Sequence, residues 1–69
     1  MKTVFLMRGY EMNCTPRPTY DGEFAAQVEV TNVGFSREAA FRKLGEFDTE
    51  AEAVAYAKQF SEEWLTLYA

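Results

Sequence analysis

The segment from Asp48 to Leu67 constrains this chain more than any other. Thr49 with Glu52 three residues on is a capping box, the signature of a helix start, in which each side chain satisfies the other residue's backbone N–H. Asp48, Glu50 and Glu52 lie where the helix dipole favours negative charge. Ala53, Ala57, Phe60, Trp64 and Leu67 then recur at spacings of 4, 3, 4 and 3, flanked by Val54 and Tyr56, which predicts a single apolar stripe. A helix from Glu50 to Leu67 would be about 27 Å long at 1.5 Å per residue. In a chain of 69 residues such a stripe needs nearly everything else to cover it. One domain over residues 1–69, with a small core, is the expectation.

The cover is a sheet. Phe24, Ala26, Val28 and Val30 alternate with Ala25, Gln27, Glu29 and Thr31, so one face is apolar and the other polar. A strand from about Lys2 to Cys14 precedes it, rich in Val, Phe, Met and Tyr, with Gly9 read as a bulge or bend within it. The connection from Thr15 to Glu23 carries Pro16 and Pro18, which a central strand does not accommodate. A third strand spans about Glu38 to Leu44, with Ala39 and Phe41 sharing a face with Lys43 and with Ala40, Arg42 and Leu44 on the other. The expected architecture is α+β: a three-stranded antiparallel sheet with one C-terminal helix packed on one face, in the order β-β-β-α.

Composition excludes much chemistry. There is no His and one Cys. A Ser-His-Asp triad, a Cys-His pair, an imidazole metal site and an internal disulfide are therefore ruled out. Cys14 reads as a buried strand thiol, with Arg17 the only base near it in sequence to favour a thiolate. Neighbouring carboxylates on the helix point in different directions, so they form no acid–base pair. No short segment concentrates the oxygen ligands of a Ca²⁺ loop. The expectation is a protein that is no enzyme and holds no cofactor and no metal. The apolar run Val4–Met7 ends at Arg8-Gly9, too short for a signal-peptide core, and no stretch approaches a membrane span. A cytoplasmic protein without membrane contact is expected.

Charge points to partners. The net charge is −4, and the bases and acids of residues 1–47 cancel, so all of it falls on residues 48–69. Glu50, Glu52, Glu62 and Glu63 would form an acidic array that mimics a phosphate backbone toward a basic protein. The plain alternative is a solvated helix face. Glu62 and Glu63 favour the first reading slightly, because acids near a helix C-terminus are disfavoured by a few tenths of a kcal/mol. Tyr20, Phe35 and Tyr68 fall in or beside turns and read as aromatic anchors for a partner. Phe24, Phe41, Phe47, Phe60 and Trp64 read as core. An opposing reading places Arg8, Arg37, Arg42 and Lys43 on the outer sheet face as a nucleic-acid surface. A sequence pI near 4.6 and the interspersed Glu11, Glu29 and Glu38 disfavour that reading.

Two resemblances bear on this. Arg8-Gly9-Tyr10-Glu11, Pro16, Asp21-Gly22-x-Phe24-x-Ala26-x-Val28, and Phe47-Asp48-Thr49-Glu50-Ala51-Glu52-Ala53 leading to Trp64 together resemble a group of small bacterial domains. These are three-stranded sheets carrying one long helix, with no activity assigned to the group, and the likeness implies the fold. In size and acidity the chain also resembles small phage inhibitors of host defence, anti-CRISPR proteins among them. That likeness implies a non-enzymatic inhibitor whose acidic surface blocks a nucleic-acid-binding effector subunit. The alternative is a small regulator that binds nucleic acid through the sheet's bases. An open sheet edge or face would also serve a homodimer contact.

Overall fold

A computed structural model describes residues 1–34 and 37–68, with residues 37 and 38 as backbone alone. The order is β1 (Val4–Met7), β2 (Tyr10–Asn13), β3 (Arg17–Pro18), β4 (Phe24–Asn32), β5 (Arg37–Phe47) and α1 (Glu50–Tyr68). The chain is α+β, with an antiparallel sheet and one C-terminal helix, and the sheet has five strands rather than three.

The extra strands have local causes. The expected first strand is a hairpin, because Arg8 and Gly9 both take positive φ, 51° and 81°, and Met7 pairs with Tyr10. Two central residues at positive φ make a type I′ turn, whose twist matches that of the flanking strands. Gly9 is thus a turn residue, not a bulge. Within the expected loop, Arg17 and Pro18 pair with Ala25 and Phe24 as a two-residue edge strand, a place where proline's missing N–H costs no ladder bond. β2 and β3 lie in line along one side of β4, and β5 runs along the other. β4 is central, and β1, β3 and β5 are the edge strands.

The alternation in β4 is as expected on the inner face, where Ala26, Val28 and Val30 are buried. They join Met12, Cys14, Val54, Ala57 and Leu65 in the core. In β5 the register slips: Ala26 pairs with Gly45 but Val28 with Phe41, leaving Arg42–Leu44 opposite Gln27. This irregularity lets Leu44 pack on the core while Lys43 stays exposed, the reverse of strict alternation.

The helix cap forms with a twist on the expected box. Thr49 Oγ1 accepts from the Glu52 N–H at 3.1 Å and donates to Glu52 Oε1 at 3.0 Å, so the Glu52 carboxylate meets the hydroxyl of Thr49. The buried residues of α1 are Ala53, Val54, Ala57, Ser61 and Leu65, not the whole predicted stripe. At 100° per residue the buried face is turned by roughly 70° from that stripe. Ala53, Ala57 and Ser61 are small, so this face lets the helix sit close on the sheet. Phe60 and Trp64 are half-buried beside it, and Leu67 is 75% exposed. Among the described residues no aromatic ring is fully buried.

Candidate functional site

The central β4–β5 pairing builds the first candidate surface. Phe24 opposite Phe47 brings the residues just beyond them together, Glu23 beside Asp48, while Ala25 faces Glu46. The β3–β4 turn adds Asp21. Thr19 closes that turn: its N–H donates to the Glu23 carbonyl at 2.9 Å, and its Oγ1 accepts from the Glu23 N–H at 3.1 Å and donates to Asp21 Oδ1 at 2.6 Å. Carboxylate oxygens of Asp21, Glu23 and Glu46 lie within 4.8 Å of one another. Glu50 and Glu52 open the helix two and four residues after Asp48. Six acids therefore gather at one pole of the molecule.

Desolvation first, then the charge of Asp21, a hydrogen bond with Glu46, and the charge and hydrogen bond of Asp48 push the Glu23 carboxyl above its ordinary value. The Thr19 hydroxyl, followed by a backbone hydrogen bond, holds Asp21 below its own. Asp21, Glu23 and Glu46 are also the residues able to offer oxygens to a hard cation. They come from a turn and a strand 25 residues apart in sequence, which no search of one short segment would find.

The predicted acidic array is split by this geometry. Glu50 and Glu52 belong to the acidic pole, and Glu62 and Glu63 stand some twelve residues further along α1, about 18 Å away. All four are exposed. Glu62 lines a cleft with Met7, Arg8, Leu65 and Thr66 at the tip of the β1–β2 hairpin. Glu63 lines a groove of about 280 Å³ with Phe41, Phe60, Trp64, Leu67 and Tyr68.

The predicted aromatic anchors are likewise separated. Tyr20 is fully exposed on the turn beside Asp21, at the acidic pole. Tyr68 is 72% exposed at the opposite end, with its ring centroid 5.7 Å from that of Trp64. Phe35 lies outside the described residues. Trp64 also meets Tyr10 edge-on at 5.6 Å, and Phe41 meets Phe60 at 4.9 Å. The rings read as core thus line a surface groove as well.

The bases do not form one face. Arg8 sits in the β1–β2 turn, off the sheet plane. Arg42 and Lys43 lie on β5, three strand spacings from β1, roughly 14 Å across the sheet. Arg42 pairs with Glu29 at 3.6 Å. Lys43 lines a shallow cavity on the outer face with Arg17, Ala25, Gly45 and Glu46. The side chain of Arg37 lies outside the described residues.

Comparison with family models, with curated proteins and with solved structures found no match to this chain. The chemistry of its surfaces is therefore the ground for a functional reading. Cys14 is no part of one: it is fully buried, its thiol is pushed up by burial, and its Sγ lies 3.8 Å from Ser61 Oγ in the core. No helix among the described residues is long and apolar enough to cross a membrane.

Proposed function

We propose that this protein is a non-enzymatic binder of a basic partner protein, with the acidic pole as its principal contact. The observation that carries this reading is the gathering of Asp21, Glu23, Glu46 and Asp48 beside Glu50 and Glu52. These acids converge from a turn, a strand end and a helix start, at the cost of a Glu23 carboxyl driven toward protonation. Arg17 and Lys43 share cavities with Glu46, so the six acids outnumber the bases beside them rather than standing alone, and the excess is acidic. Fixed carboxylates at close spacing suit Arg and Lys side chains, which pair with them as they do with phosphate. The partner class that fits is a protein whose own ligand is nucleic acid, and the sharpest form of the reading is an inhibitor of the anti-CRISPR kind. Tyr20, exposed beside Asp21, would be the apolar anchor of this contact.

The test is capture of partners from bacterial lysate with and without nuclease, using the wild-type chain and a variant carrying Asp21→Asn, Glu46→Gln, Glu50→Gln and Glu52→Gln. The expected result is a nucleic-acid-handling protein retained after nuclease and lost with the variant. Capture that vanishes with nuclease, or that the variant retains in full, overturns the reading.

A further inference from the structure

The end of the molecule opposite the acidic pole carries its own recognition chemistry. Between β5 and the last turns of α1, the rings of Phe41, Phe60, Trp64 and Tyr68 and the side chain of Leu67 line the groove, and Glu63 is its only charged lining residue among the described side chains. Its volume, about 280 Å³, is below the roughly 300–1,000 Å³ of pockets that enclose a drug-sized ligand, so it suits one side chain better than a cofactor.

Three features of the groove favour a cation, and they are independent of one another. Aromatic faces attract cations through their quadrupoles, Trp most strongly. The Glu63 carboxylate is exposed among those rings, and none of the described lining residues is a base. The helix ends here, so its last carbonyls present the negative end of the dipole, and the last turn contains no basic side chain. On the opposite flank the protein fills this role internally: the Nζ atoms of Lys58 and Lys2 lie 5.1 and 5.4 Å from the centroid of Phe5. Among the described side chains, no base of this chain takes the corresponding place in the groove.

We propose that this groove is a docking site for an arginine side chain presented by a partner polypeptide. A guanidinium is planar, stacks on aromatic faces and forks onto a carboxylate, so it uses rings and Glu63 together, which an ammonium point charge does less well. The proposal rests on the reading of the chain as a binder of a basic protein, but it concerns a separate surface. It makes the contact two-pointed, with one anchor at each end of α1.

Trp64 is the chain's single tryptophan, so tryptophan emission reports on this groove and on the Tyr10 contact behind it, and not on the acidic pole. The probe is a blocked tri-arginine peptide carrying a fluorescent label, with tri-citrulline as the uncharged control of matched shape. Label polarisation reads total binding, and Trp64 emission, measured with unlabelled peptide, reads the groove. The expected result is a saturable change in Trp64 emission with tri-arginine and none with tri-citrulline. Glu63→Gln, an exposed change that leaves the core intact, should weaken the emission response on the order of tenfold. Glu50→Gln with Glu52→Gln should leave it within about twofold, since those sites are more than a Debye length away. An emission response that is absent, equal for citrulline, or unchanged by Glu63→Gln overturns the groove. Polarisation that is lost in the Glu50/Glu52 variant while Trp64 stays silent would overturn the groove and keep the acidic pole. A Trp64 response that persists while the pole variant loses no binding would keep the groove and overturn the pole.

Discussion

At the scale of single residues, Glu23 and Asp21 sit two positions apart and are shifted in opposite directions, Glu23 upward and Asp21 downward. Glu23 is raised by desolvation and by three neighbouring carboxylates. Its contribution to stability is therefore fully present below its unfolded-chain pKa and is lost as pH rises through the higher folded value. Glu23→Gln removes that loss. The variant should unfold at higher denaturant than wild type at pH 7, and the difference should close as pH falls below the carboxylate range. A variant less stable at pH 7 would refute the repulsion argument. Asp21 is lowered by the Thr19 hydroxyl, so its contribution is present above its unfolded pKa and is lost as pH falls through the folded one. In the core, Met12 is fully buried. Met12→Ala should cost about 2–5 kcal/mol. A chain of this length has a total stability of only about 3–10 kcal/mol. That variant should unfold at a clearly lower denaturant midpoint than wild type by circular dichroism at 25 °C, and native-like stability would mean the site collapses without a cavity.

At the scale of elements, the β1–β2 hairpin and the start of α1 hold the two local devices that set the fold. Arg8 occupies the left-handed region with a side chain, at a cost of roughly 1–2 kcal/mol relative to right-handed backbone. Asn tolerates that region better, so Arg8→Asn should raise the denaturation midpoint without changing the slope. Gly9→Val should lower it, because Gly9 is at φ 81° and a β-branched residue is strained there. If both substitutions are neutral, the hairpin turn does not limit stability. At the helix start, Thr49→Ala removes the acceptor of the Glu52 N–H and should cost about 0.5–2 kcal/mol. Its mirror test is Thr49→Ser, which keeps the hydroxyl and should recover most of the loss in the same melt.

At the scale of the whole molecule, charge is distributed by the fold rather than by the order of residues along the chain. The extents of 36 × 21 × 20 Å leave room for two separate ends, and α1 joins them. Acids crowd one end, and aromatic rings with Glu63 occupy the other. Repulsion within the acidic pole is between exposed groups, so salt screens it. Raising ionic strength from 50 to 200 mM should therefore raise the melting temperature. A fall would mean that attractive pairs such as Arg42–Glu29 outweigh the repulsion. On the proposed reading the same salt should weaken partner binding, since a contact of the acidic pole with a basic partner would be attractive between opposite charges. The opposite signs of the two salt effects are the signature of a surface charged for binding rather than for stability.

Much of the architecture was legible in residue order because it depends on local chemistry. The alternation from Phe24 to Thr31 identified the central strand and its inner face, since a strand's period of two is a backbone property. Thr49 and Glu52 located the helix start within its own turn of chain. Gly9 was visible as punctuation, but its role depended on Arg8 also taking positive φ, which an arginine side chain gives no reason to expect. Spacing puts Leu67 on the apolar stripe, yet it is exposed, because small Ala57 and Ser61 let a different face of the helix settle on the sheet. The acidic pole was beyond reach for a similar reason. Asp21, Glu23, Glu46 and Asp48 are distant in sequence and meet only when Phe24 pairs with Phe47. Local signals determine which elements form and which way their apolar faces look. Which charges and rings become neighbours is decided by strand register and helix rotation, because both are set by packing between elements that no single element's sequence contains.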